Sequence, residues 1–285
     1  MSSVVCGQTT LFVVDSTGKP VTLSKPATRV ITLAPNATEL VVAAGGFDKL
    51  VAVSLFSDAP KAVETLPKVN GVSLNIERIL AFAPDLIVGT EFSRAALDRY
   101  RHSLSNIAIY VADASTPEGI ANDIESLGVL VGNRKKAREE ADKYRERLKQ
   151  MMARAPNTQE KDRAKVLYLL WSDPIYTIGG GTLIDNAIRR CGGVNVFHDQ
   201  KAPAPTISKE TVIEREPEIM VFGATPDQIL IWRKMWEAWP AIPAVKNNAI
   251  FYVDPDLMHR AGPRFIDGME SLCASIQGSG AFGKK

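Results

Sequence analysis

The chain has 285 residues, 45% of them hydrophobic and 23% charged, with 34 Lys+Arg against 32 Asp+Glu and a net charge of +2. That length accommodates one large or two medium domains, and the ordinary apolar share excludes a disordered chain. The balanced charge excludes the strongly basic face of a nucleic-acid partner, and no apolar run reaches the roughly 18 residues of a membrane-spanning helix.

The first residues, Met1-Ser-Ser-Val-Val-Cys6-Gly7, show neither the basic nor the apolar region of a signal peptide. The expectation is a cytoplasmic chain or one whose export signal has been removed, with Cys6 a candidate lipid-attachment position. Phe12 to Leu23, broken by Asp15-Ser-Thr-Gly18, predicts a β-hairpin. Arg29–Leu33 is a short β-branched strand, followed by a helix to Ala44 that stops at Gly45-Gly46. Leu50–Ser54, Asp85–Gly89 and Ile107–Val111 predict further strands, with helices over Ile76–Phe82 and Pro117–Val131. Short apolar strands alternating with helices predict an α/β fold with parallel sheets buried on both faces.

Asn133–Arg154 is the longest helical candidate: eight Lys/Arg face four Asp/Glu over residues 134–149, and apolar residues recur at three- to four-residue spacing. Strands resume at Lys165–Trp171, so this helix and the polar stretch after it separate two α/β halves. The halves also repeat one plan. Glu77 is followed seven residues later by Pro84, then Asp85 and a strand; Glu210 is followed seven residues later by Pro217, then Glu218 and a strand. A strand and a helix ending in Gly-Gly (Gly45-Gly46, Gly192-Gly193) precede each. The expected organisation is an N-terminal extension and hairpin over 1–26, an α/β lobe over 27–132, a connecting helix over 133–156, a second lobe over 157–276 and a flexible tail over 277–285. Two Rossmann-like lobes of this kind leave a ligand cleft between them.

Features that carry chemistry are few. Thr177–Leu183 is a glycine-rich turn opening a helix, without the Lys-Ser/Thr of a P-loop or the Gly-x-Gly-x-x-Gly order of a dinucleotide site; a plain strand-to-helix turn is the simpler reading. Trp232, Trp236 and Trp239 stand at i, i+4 and i+7, a spacing that reads first as packing. No Gly-x-Ser-x-Gly elbow and no acid/base dyad stands out, so an enzyme has little support. Neither a Cys-x-x-Cys nor a His-x-x-x-His pair offers a structural zinc site. Cys191 and Cys273 are either buried thiols or one disulfide, and spacing alone leaves both open. The densest cluster is Asp254–Arg264, where two acids, His259, Arg260 and Arg264 lie in a Pro/Gly-punctuated loop after the strand Ile250–Val253. In a doubly wound lobe that end of the sheet faces the ligand.

Taken in order, Arg29–Leu40, Asn75–Ile79 with Pro84–Val88, Cys191–Phe197, and Arg260–Arg264 with Leu272-Cys273 resemble the helical-backbone class of periplasmic substrate-binding proteins, which serve ABC importers of corrinoids, iron–siderophores and haem. The resemblance runs from about Arg29 to Ile276 and is nearest the corrinoid-binding members. It implies a non-enzymatic, monomeric receptor in the periplasm, with no resident cofactor or metal and with cobalamin or another metal chelate as the bound ligand. A ferric siderophore or haem is the alternative cargo, and a metal-cluster enzyme subunit the alternative class. Residue by residue, it implies that Phe56 and the segment Asp256, Leu257, Met258, His259 and Arg260 touch the ligand. Glu77 and Glu210 would dock onto the permease of the importer, and Cys191 and Cys273 would form a disulfide, which belongs to an oxidising compartment. Val69–Ser73, Thr90 and Ala204 depart from the pattern, since corrinoid-binding members carry tryptophans there and this chain carries none.

Overall fold

Residues 10–112, 114–155 and 159–278 are described in the computed structural model. The chain divides into two units, Met1–Ala114 with Glu118–Arg145, and Ser115–Pro117 with Glu146–Lys285. Cys6 and residues 279–285 of the expected tail lie outside the described residues.

The first unit opens with β1 (Leu11–Val14) and β2 (Pro20–Leu23), an antiparallel hairpin with Gly18 at φ +80° in its turn. There follow β3 (Val30–Thr32), α1 (Pro35–Ala43), β4 (Leu50–Ser54), β5 (Lys68–Val69), α2 (Ile76–Ala81), β6 (Leu86–Gly89), α3 (Glu91–Arg99), β7 (Ala108–Val111), α4 (Pro117–Leu130) and α5 (Arg134–Arg154). Five strands form one parallel sheet in the order β5-β4-β3-β6-β7, so the chain starts in the middle and winds outward to both edges. All residues of β3 and β6 are buried, as continuous apolar strands covered on both faces require. The hairpin is tied to this sheet through Asp15, whose carboxylate accepts from Thr17 N, Lys19 N and Val111 N, and through Ser16, which donates to buried Asp123. The division between units falls within α5, between Arg145 and Glu146.

The second unit contains β8 (Ala164–Ser172), β9 (Ile175–Thr177), α6 (Leu183–Arg190), β10 (Gly193–Asn195), α7 (Lys209–Arg215), β11 (Ile219–Gly223), α8 (Pro226–Glu237), α9 (Pro243–Lys246), β12 (Ile250–Val253), α10 (Pro255–Met258) and α11 (Phe265–Gly278). Its parallel strands run β10-β8-β11-β12, and β9 folds back antiparallel on the far end of β8. Leu167, Leu169, Met220, Phe222, Trp232 and Trp236 lie in one buried core cluster. The tryptophan stripe is therefore packing, with one correction: α8 ends at Glu237, and Trp239 lies beyond it, half-buried against the same core. The Cys191–Cys273 disulfide joins the end of α6 to α11 across 82 residues of sequence.

The sequence repeat has a structural basis. In each unit the glycine after the helix that follows the first sheet strand takes a left-handed conformation, Gly45 at φ +82° after α1 and Gly192 at φ +91° after α6. The residue before the repeated proline is left-handed too, Ala83 at φ +45° and Glu216 at φ +50°. The acid after the proline then caps the entry to a neighbouring strand. Asp85 accepts from Thr28 N and Arg29 N ahead of β3, and Glu218 accepts from Lys165 N at the start of β8. The Pro–acid–strand pattern is thus a device that fixes strand register, since each carboxylate satisfies backbone donors that the sheet leaves open.

Candidate functional site

The carboxyl ends of parallel strands are where an open α/β sheet presents its loops. In the first unit, β4 runs out into a turn in which Ser57 N donates to Ser54 O, and Phe56 stands at its tip, 76% exposed. A chain of buried hydroxyls lies in the same turn: Thr32 to Thr38 at 2.6 Å, Thr38 to Ser57 at 2.8 Å, and Ser57 to Ser54 at 2.8 Å. Lys68 Nζ adds a bond to Ser57 O. These contacts join the ends of β3 and β4 to α1, so Phe56 is exposed on a turn that is itself fixed. It is not alone. Val72, after β5, is 71% exposed, and Phe92, after β6, is 87% exposed. Three apolar side chains open to water therefore follow the carboxyl ends of three strands of one sheet.

In the second unit, β12 ends at Val253 and the expected loop is instead a short helix, α10, capped by Asp254, whose carboxylate accepts from Asp256 N at 2.8 Å. Asp and Pro in the sequence Asp254-Pro255 are favoured N-cap and N1 residues, which is why four residues suffice for a turn of helix here. Asp256 projects from it, and Arg260 pairs with it at 2.9 Å while its own side chain is only 16% exposed. Leu257 is half-buried, and Met258 is 1% exposed, its side chain turned inward against Gly268 of α11. Of the five residues expected to face a ligand in this segment, Met258 is buried and anchors α10 against α11, and Leu257 also packs on Gly268.

His259 is exposed as a residue, but its Nε2 edge points inward and lies 3.1 Å from the hydroxyl of fully buried Tyr168 on β8. Loss of water around that edge outweighs the pull of the Asp256 and Asp254 carboxylates and pushes the imidazole down to about 4. Burial, aided by the Asp254 charge, raises the Tyr168 hydroxyl above its ordinary range. Both groups are thus neutral near pH 7. They meet over Gly223, the last residue of β11, where an added Cβ would stand 2.4 Å from both His259 Nε2 and Tyr168 Oη. Next to this pair, the loops after β11 and β12 enclose a concavity of about 430 Å³.

Glu77 and Glu210 occupy equivalent places, each the second residue of its helix, α2 or α7, and both exposed. The cap before each, Asn75 or Ser208, accepts from the residue after it, Arg78 N or Thr211 N. Glu210 is held below the usual carboxylate range by its own backbone N–H and the Ser208 hydroxyl. Arg215 anchors α7 by a two-pronged pair with Asp199 at 2.7 and 2.8 Å. In the glycine-rich turn, Gly179 N and Gly180 N donate to Pro203 O and Gln200 O, and Gly181 N to Asp185. Those donors are spent inside the fold, which makes it a plain strand-to-helix turn. Among the described residues no group of three or more His, Cys, Asp or Glu is placed to hold a metal ion, and no helix is long and apolar enough to cross a membrane.

Sequence reasoning missed Val72, Phe92, Tyr168 and Gly223. Phe92 had a signal, since it falls three residues after the strand-ending Gly89, where a core residue has no reason to be. Tyr168 had none, because it lies inside an unbroken apolar strand.

A family profile described as periplasmic binding protein matches residues 30–257. The vitamin B12-binding protein of Vibrio parahaemolyticus is 36% identical over 256 residues, spanning 89% of this chain and 91% of the relative. That of Yersinia pestis is 31% identical over 254 residues, spanning 89% and 88%. The crystal structure of the periplasmic vitamin B12-binding protein BtuF of Vibrio cholerae superposes with a TM-score of 0.81 at 33% identity, over 89% of this chain and 98% of that one. The haem-binding protein HutB of Vibrio cholerae, at 22% identity and a TM-score of 0.72, covering 87% and 98%, shares the fold.

Proposed function

The chain belongs to the periplasmic binding protein family, and from that premise we propose that it captures a corrinoid in the periplasm and delivers it to the permease of an ABC importer. The observation that carries this is the near-full-length match to vitamin B12-binding proteins, 36% identical over 256 residues. The sites fit the task. Phe56 offers an apolar face on a fixed turn, and Asp256 with Arg260 offers an acceptor and a bidentate donor held by each other. Leu257 and His259 complete that side of the contact, His259 as a neutral imidazole. Val72 and Phe92, exposed like Phe56 after strands of the same sheet, supply apolar surface where Val69–Ser73 and Thr90 carry no tryptophan. Large apolar side chains supply most of the contact area for a flat macrocycle.

Glu77 and Glu210, one per unit and each on the first turn of a helix, are the docking points for cationic side chains of the permease. The receptor works as a monomer and catalyses nothing. Binding is read from quenching of the four tryptophans on titration with cyanocobalamin and cobinamide. Saturable quenching is the expected result, and its absence with both corrinoids would remove the corrinoid assignment.

A further inference from the structure

The concavity of about 430 Å³ behind α10 has an unusual lining. Ile229 and Tyr252 give it apolar walls, and its charged lining residues are both acids, Asp254 and Asp256. Asp256 is balanced by Arg260 at 2.9 Å. Arg233, which reaches the Tyr252 hydroxyl at 3.4 Å, is balanced by Glu237 at 2.8 Å. The N-terminal turn of α8 at the rim is closed by its own capping box, with Thr225 N bonded to Gln228 and the Thr225 hydroxyl to Asp227. Among the described residues no cation is paired with the Asp254 carboxylate, which accepts the Asp256 N–H within its own turn.

An acceptor-only group in a hollow of mixed polar and apolar lining receives N–H donors and repels a second carboxylate. We infer that this concavity seats an uncharged amide substituent of the ligand, and that Asp254 sets a preference for amide over carboxylate at that position. The inference rests on the corrinoid reading, because a corrin ring bears primary amides around its rim whereas haem bears carboxylates. It adds to that reading a basis for telling the two macrocycles apart without any contact to the metal.

The test is a calorimetric titration of the full chain, Asp254→Asn and Asp254→Ser with cobinamide and with the separated cobinamide monocarboxylates, in which one amide is hydrolysed. Asn and Ser cap a helix about as well as Asp, so both variants keep α10 and unfold near the parent temperature. The parent chain should bind cobinamide at least about tenfold tighter than one of the monocarboxylates, the equivalent of one lost charged contact. Both variants should shrink that ratio below about threefold for the same isomer. Equal binding of all monocarboxylates, or a ratio that survives in both variants, would overturn the role of Asp254 while leaving corrinoid binding in place. Failure of the parent chain to bind cobinamide would instead defeat the reading beneath it.

Discussion

His259 is the residue whose environment makes the sharpest demand. An imidazole held neutral by an inward-facing Nε2 edge, down to about 4, binds its proton later in the folded chain than in the unfolded one, where the usual value is about 6.5. The sign follows from linkage: as pH falls from about 6.5 towards 4, the unfolded chain takes up a proton that the native one refuses, so the His259 contribution lowers stability across that window. A proton-detected titration of the ring should find a midpoint well below 6; a midpoint at 6.5 would contradict the inward edge. Gly223 makes a second demand. Gly223→Ala puts a methyl 2.4 Å from both His259 Nε2 and Tyr168 Oη, and overpacking of this kind costs about 1–3 kcal/mol. Thermal unfolding should show the loss, and Tyr168→Phe in the same chain should recover part of it by removing one of the two clashing atoms. An unshifted Tm in Gly223→Ala would contradict the packing. Neither residue announced itself in the sequence: a glycine ending a strand and a tyrosine inside one are ordinary until the fold brings them within reach of each other.

At the scale of the element, the repeated Glu–Pro–acid–strand pattern was legible, and its cause was not. Spacing alone placed Glu77 and Glu210 in register, because each is followed by its proline seven positions on. That the following acids, Asp85 and Glu218, cap strands far away in sequence required the sheet order. Asp85 accepts from Thr28 N, the Thr28 hydroxyl and Arg29 N, whereas Glu218 accepts one backbone donor, Lys165 N. Asp85→Ala should therefore cost more than Glu218→Ala, about 1–3 kcal/mol against about 1 kcal/mol, measured by urea unfolding; the reverse order would contradict the capping account. Other elements escaped the sequence for plain physical reasons. β9 spans three residues, too short for a period of two to declare itself, and α10 hides a helical turn between prolines and acids that read equally well as loop. The docking role proposed for Glu77 and Glu210 is tested at this scale too. Glu77→Ala with Glu210→Ala should leave corrinoid affinity unchanged and abolish stimulation of the importer's ATPase, and full stimulation by the double variant would remove their role.

For the whole molecule, near-neutral charge and 285 residues were compatible with many soluble folds, and the ordered strand–helix pattern narrowed them to two Rossmann-like units. The disulfide was open between two readings on spacing alone and closed by geometry, since α6 and α11 bring Cys191 and Cys273 together. An 82-residue loop so closed is worth roughly 4–5 kcal/mol in the chain-entropy account. Thiol titration of the denatured, unreduced protein should find one free cysteine, and reduction should lower the unfolding temperature; three free thiols would contradict the bridge. Ligand identity was the least legible property: Val72 and Phe92, proposed as apolar contacts, have no motif of their own, and Asp254 stood in the Asp254–Arg264 cluster without a distinct role. The most direct test is isothermal titration calorimetry of the intact chain with cyanocobalamin, cobinamide, haem and a ferric chelate. A corrinoid Kd below about 10 μM, roughly −7 kcal/mol, with haem and the ferric chelate at least about tenfold weaker, is the predicted result; haem or the ferric chelate binding more tightly than either corrinoid, or no corrinoid binding at that level, would contradict it.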